Sequence, residues 1–106
     1  MTSLKYKNIP TFVDGIRFAS KKEAKRYSEL KLLQMGNVIS KLETHPSFPL
    51  MVNGTKIGRY TADFKYLQGK EVVIEDVKSK VTKTRDYILR KKILLTYDPP
   101  IIIKEI

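Results

Sequence analysis

Tyr60–Lys80 reads YTADFKYLQGKEVVIEDVKSK, and the alternation within it sets the frame for the rest of the chain. Tyr60–Leu67 is rich in aromatic and β-branched residues, Gln68-Gly69 supplies a turn, and Val72–Lys78 is a second apolar run. Together they predict a β-hairpin. Both strands carry acids: Asp63 lies early on the first, and the second ends in Asp76-Val77-Lys78. Strand side chains alternate between faces, so Asp76 and Lys78 share one face with Ile74, while Glu75 points to the other with Val73 and Val77. Two carboxylates and a lysine at one end of a hairpin suit a hard divalent cation held beside a phosphate, because carboxylate oxygens ligate the ion and the ammonium meets the anion. Taken alone, Asp76-Val77-Lys78 reads first as a solvated charge pair at a strand end.

The bulk properties narrow the choice. A chain of 106 residues is one small domain with a single core. No apolar run approaches a membrane span, and Met1–Asn8 lacks the apolar centre of a signal peptide. The absence of cysteine removes disulfides and thiolate metal sites, in keeping with a cytoplasmic setting. There are 21 basic and 11 acidic residues, a net charge of +10, which attracts a polyanion, nucleic acid before any other. A membrane surface ranks low because the basic residues do not gather on one amphipathic helix.

Residues 1–10 read as a flexible basic arm and 11–106 as the folded domain. Within Thr11–Phe18, Asp14-Gly15 predicts a small hairpin. Ser20-Lys21-Lys22-Glu23 fits a capping box and begins a helix over Lys21–Met35, with Ala24, Tyr27, Leu30 and Leu33 as its core stripe and Gly36-Asn37 as its stop, glycine taking the left-handed position. Glu23 has two compatible roles, helix cap and third acid of a metal site. Val38–Leu42 is a short strand, Phe48–Val52 an edge strand broken by prolines, and Asn53-Gly54 a turn. His45, the only histidine, precedes Pro46 and reads as a turn residue before a metal ligand or general base. Thr82 or Thr84 caps a second helix with Tyr87, Ile88, Ile93, Leu94 and Leu95 on its apolar side. Lys80, Lys83, Arg85, Arg90, Lys91 and Lys92 form a basic patch beside the D-x-K strand. Ile101–Ile106 is a last strand.

The resulting order, αβββαβ, is similar to the core of the PD-(D/E)XK nucleases, and the spacing of Asp63 from Asp76-Val77-Lys78 resembles their signature. Phe18–Ala24, Tyr60–Phe64 and Glu75–Lys78 also look like three blocks of a family of small, uncharacterised phage and prophage proteins. The last two resemble phage endonuclease I, a Holliday junction resolvase. The chain departs from the pattern at Ala62 in place of proline, Asp76 in place of glutamate, and Ser79 where glycine is frequent.

The resemblance implies an α/β (α+β), restriction-endonuclease-like fold, a mixed sheet flanked by helices. It implies a metal-dependent endonuclease that hydrolyses phosphodiester bonds in branched DNA during recombination, acting as a homodimer with Mg²⁺, for which Mn²⁺ substitutes. Asp63, Asp76, the Val77 carbonyl and Glu23 would hold the metal, Lys78 would act on the attacking water, and the basic patch would contact DNA. The rivals are a nuclease with a restriction, repair or packaging substrate, and a non-catalytic nucleic-acid-binding protein.

Overall fold

A four-stranded mixed sheet grows from the central hairpin. The computed structural model describes residues 9–78 and 84–106. Strands β1 (Thr11–Val13) and β2 (Ile16–Phe18) lead into helix α1 (Lys21–Met35). Next come β3 (Ser40–Thr44), β4 (Ser47–Val52), β5 (Thr55–Thr61), β6 (Phe64–Gln68) and β7 (Glu71–Asp76), then α2 (Arg85–Leu95) and β8 (Ile103–Glu105). The main sheet has the order β3-β6-β7-β8, antiparallel as far as β7 and parallel between β7 and β8. Helix α2 is the crossover that a parallel pair requires. The pairs β1-β2 and β4-β5 form separate hairpins, and without them the element order is αβββαβ.

Local chemistry accounts for the turns. Gly69 adopts φ 64° in the two-residue turn between Gln68 and Glu71, and Asp14-Gly15 adopt 52° and 75° between Val13 and Ile16. These left-handed conformations match the twist of the flanking strands. Helix α1 covers the expected residues, and Glu23 N donates to the Ser20 cap at 3.2 Å. Its end differs from expectation. Gly36 keeps a negative φ and Asn37 takes the left-handed position at 62°, which asparagine tolerates better than most side chains. Thr84 caps α2 by accepting from Tyr87 N at 3.1 Å. The alternative cap, Thr82, and most of the N-terminal arm (residues 1–8) lie outside the described residues.

The strand expected over Tyr60–Leu67 is two strands. Tyr60 and Thr61 end β5, which pairs with β4, whereas Phe64 starts β6, which pairs with β3 and β7. The chain changes partners at Ala62-Asp63, where Ala62 N donates to Pro46 O at 2.9 Å and Asp63 N to Glu75 O at 3.1 Å. Alternation of apolar residues continues through this step, so it carries no mark of the change. Strand β7 likewise stops at Asp76, leaving Val77 and Lys78 just beyond it, and β3 lies two residues later than Val38–Leu42.

The sheet buries both faces. Phe64 and Tyr66 turn toward α1 and join Phe18, Ala24, Tyr27 and Leu30. Ile74 turns the other way and joins Leu50, Tyr60, Ala62, Tyr87, Leu94 and Ile103. Phe64 is fully buried, so Phe64→Ala should destabilise by about 3–5 kcal/mol. The apolar stripes of the helices are narrower than expected: Leu33 of α1 and Ile88 and Leu95 of α2 are exposed. Among the described residues, no helix is long and apolar enough to cross a membrane.

Candidate metal centre

The step between β5 and β6 places Asp63 at the open end of the sheet, opposite the end of β7. Asp63 and Asp76 hold each other through the backbone. Asp63 N donates to Asp76 Oδ1 at 3.0 Å, and Val77 N donates to Asp63 Oδ2 at 2.7 Å. The other Asp76 oxygen, Oδ2, accepts from the Tyr60 hydroxyl. Asp76 is 1% exposed, so both of its oxygens are anchored inside the protein.

Glu23 arrives from the first turn of α1. Its backbone N–H meets the Ser20 cap, and its Oε2 accepts from Ala19 N at 3.3 Å, so the capping role holds. Glu23 Oε1 lies 3.0 Å from His45 Nε2. One ligand atom each from Glu23, His45 and Asp63 fall within 4.8 Å of one another. His45 does occupy a turn, between β3 and β4, with φ 53°. That turn is tied to the acid cluster because His45 N donates to Asp63 O at 2.9 Å. The turn position and a place beside the acids are therefore compatible in this one residue. The available signal was a histidine shortly before the strand pair that leads into Asp63.

Lys78 follows β7 with its ammonium 4.6 Å from the centre of the Tyr87 ring. The Tyr87 hydroxyl in turn donates to Glu105 at 2.7 Å. The Lys78 backbone is fixed as well: its carbonyl accepts from Lys22 Nζ at 3.1 Å and its N–H donates to Ile106 O at 3.4 Å. Expected alternation therefore holds in outline, with Asp76 on the α2 side of the sheet and Glu75 on the α1 side.

Charge is distributed unevenly between these acids. Burial raises the Asp63 carboxyl to about 6; the Val77 N–H opposes this, Glu23 adds to it, and Lys78 and His45 counter it. Burial also raises Asp76 to about 6, against the pull of Lys78 and the Asp63 N–H and with support from Glu105 and Glu23. Glu75 behaves in the opposite way. Burial pushes it up, but hydrogen bonds from Arg26 and Tyr66 outweigh burial and hold it below its ordinary value. Arg26 was not legible as a partner of Glu75, because 49 residues separate the two in the chain.

The basic patch divides. Arg85 and Lys92 are exposed and make no ion pair with a described residue, whereas Arg90 pairs with Asp86 at 2.9 Å and Lys91 with Glu105 at 3.2 Å. Lys80 and Lys83 lie outside the described residues, as does Ser79.

A small α+β domain with an acid-lined centre at the end of its sheet is the class that fold and site define. Residues 3–99 match the family described as "Protein of unknown function (DUF1064)", and the chain belongs to that family. No curated protein and no solved structure matches it.

Proposed function

We propose that this protein is a divalent-cation-dependent DNA endonuclease that hydrolyses phosphodiester bonds, with branched DNA such as a four-way junction as its substrate. The observation that carries the proposal is the gathering of Glu23, Asp63 and Asp76. Each acid lies within electrostatic reach of another. Among the described residues no lysine or arginine forms an ion pair with any of the three, in a chain with 21 basic residues and 11 acidic ones. Gathering carboxylates away from water is costly, and a protein that only grips a polyanion has no use for a cluster of acids beside its basic surface. The donor set fits a hard divalent cation: carboxylate oxygens, two of them with ligand atoms less than 4.8 Å apart.

In this role Asp63, Asp76, Glu23 and the Val77 carbonyl hold the cation. When bound, Mg²⁺ or Mn²⁺ lowers the pKa of a coordinated water and stabilises charge on the scissile phosphate. Tyr60 and the Asp63 N–H fix the Asp76 carboxylate, and the Val77 N–H fixes that of Asp63, so the acids are oriented before the substrate arrives. Lys78 orients the attacking water and offsets negative charge as it develops. Arg85 and Lys92, exposed on α2, contact backbone phosphates, which positions DNA without reading its sequence. Branch preference and action as a homodimer rest on the resemblance to phage endonuclease I.

The test is cleavage of a labelled four-way junction beside a linear duplex of the same sequence, with Mg²⁺ and with EDTA. Symmetric, Mg²⁺-dependent nicks near the branch are expected. Equal cutting of both substrates would keep the nuclease and remove the branch preference. Binding of both substrates without cutting would make the protein a nucleic-acid-binding module.

A further inference from the structure

We propose that His45 completes a cation site with Glu23 and Asp63, and that its imidazole makes the site favour Mn²⁺ over Mg²⁺. This rests on the proposal that the acid cluster holds a divalent cation, and it adds a ligand outside the acid-and-lysine pattern.

The geometry is that of neighbouring ligands on one ion. Two donors about 2.1 Å from a metal and at right angles to each other are about 3.0 Å apart. His45 Nε2 and Glu23 Oε1 are separated by 3.0 Å, in a direct hydrogen bond that a cation seated between them would replace. The Asp63 carboxylate supplies the third donor, all three lying within 4.8 Å of one another. Asp63 Oδ2 is oriented by the Val77 N–H, and Glu23 Oε2 accepts from the Ala19 N–H, so each carboxylate has a fixed oxygen. The imidazole is backed by the Phe18 ring at 5.8 Å, while its side chain remains 39% exposed. A cation can therefore approach from solvent onto a preformed edge. Asp76 lies outside this three-residue cluster, with its oxygens accepting from Tyr60 and from the Asp63 N–H, and adjoins it through Asp63.

The donor chemistry sets the preference. Carboxylate and water suit Mg²⁺ and Mn²⁺ alike, but an imidazole nitrogen suits first-row transition ions and is a poor ligand for Mg²⁺. Ligation uses the Nε2 lone pair, so the ring proton resides on Nδ1 in the bound form.

Mn²⁺ titration of the full chain, followed by electron paramagnetic resonance with Mg²⁺ as competitor, tests this in the wild type, His45→Asn and Asp63→Asn. Asparagine tolerates the left-handed backbone of residue 45 (φ 53°) and is too short to place a nitrogen donor there. The wild type should bind Mn²⁺ more tightly than Mg²⁺ and show nitrogen coupling to the bound ion. His45→Asn should abolish that coupling and weaken Mn²⁺ by about tenfold or more, with little change for Mg²⁺. A wild-type spectrum without nitrogen coupling would overturn the inference, even if His45→Asn failed to fold. If Mg²⁺ binding still required Asp63, the metal-dependent reading would survive that result. If neither ion's affinity responded to Asp63→Asn, the cation site itself would fall.

Discussion

Arg26 holds Glu75 through two hydrogen bonds, Nε to Oε1 at 2.9 Å and Nη2 to Oε2 at 2.7 Å. The Tyr66 hydroxyl donates to the same carboxylate. Glu75 and Asp76 are adjacent in sequence and both buried, yet the pleat sends them to opposite faces of the sheet. The glutamate meets an arginine from α1 and is neutralised. The aspartate meets a tyrosine and a backbone amide, with no arginine or lysine in ion-pair contact among the described residues.

Alternation alone would make Glu75→Gln a mild change. With Glu75 fully buried, the substitution leaves Arg26 without its anion and should lower stability by about 3 kcal/mol, the lower end for a broken buried pair because Arg26 is partly exposed. Chemical denaturation measures this, and cleavage per folded molecule should be unchanged. A denaturation midpoint equal to that of the wild type would show that the pair contributes nothing net.

Asp63→Asn and Asp76→Asn should have the reverse profile. Asp76 is buried and Asp63 half-buried, and each substitution removes a poorly solvated charge, so the metal-free protein should be as stable as the wild type at neutral pH, or more so. Cleavage should fall by about a hundredfold or more, while DNA binding is retained or tightened. Loss of DNA binding with cleavage intact would contradict the assignment of both acids.

Both aspartates are raised from their ordinary range to about 6, so the folded protein binds protons more tightly than the unfolded chain does. The stability this contributes is fully present below about pH 4 and is lost as pH rises through about 6; two units per group correspond to about 3 kcal/mol at most. The Glu75 contribution runs oppositely, disappearing as pH falls into the acid range. Thermal melts without metal should therefore show a loss of stability between pH 4.5 and 7, and saturating Mg²⁺ should restore it at pH 7. Cation affinity, measured calorimetrically, should rise over the same interval because the ion competes with protons.

Lys78→Met should separate chemistry from metal binding. The ammonium lies over the Tyr87 ring and forms no ion pair with a described acid, so its loss should leave cation affinity within a fewfold of the wild type. The cleavage rate should drop about a hundredfold. If cation affinity collapsed instead, Lys78 would be holding the acids in place and not acting on the water.

Phosphate contact by α2 predicts a graded response to alanine. Arg85→Ala and Lys92→Ala should each weaken DNA binding and reduce the slope of log affinity against log salt by about 1. Lys91→Ala should do less, because Lys91 is paired with Glu105. Fluorescence anisotropy at several salt concentrations distinguishes the three.

What the amino-acid order determined by itself is local. The helix over Lys21–Met35, its Ser20 cap, the turns at Asp14-Gly15 and Gly69, and the opposite orientations of Glu75 and Asp76 follow from periodicities and turn residues acting within a few positions of one another. The three acids of the centre were also legible, as carboxylates at a spacing and in an order. Tertiary structure decided their company. The break at Ala62-Asp63 arises because the chain exchanges the β4 partner for β3 and β7, and nothing in a local apolar pattern encodes which strand lies alongside. The same applies to His45 beside Glu23, Arg26 beside Glu75 and Tyr60 on Asp76: the separations are 22, 49 and 16 residues. Their positions depend on how the helices and hairpins close over the sheet, and that closure is driven by burial, which is non-directional and leaves no short-range mark.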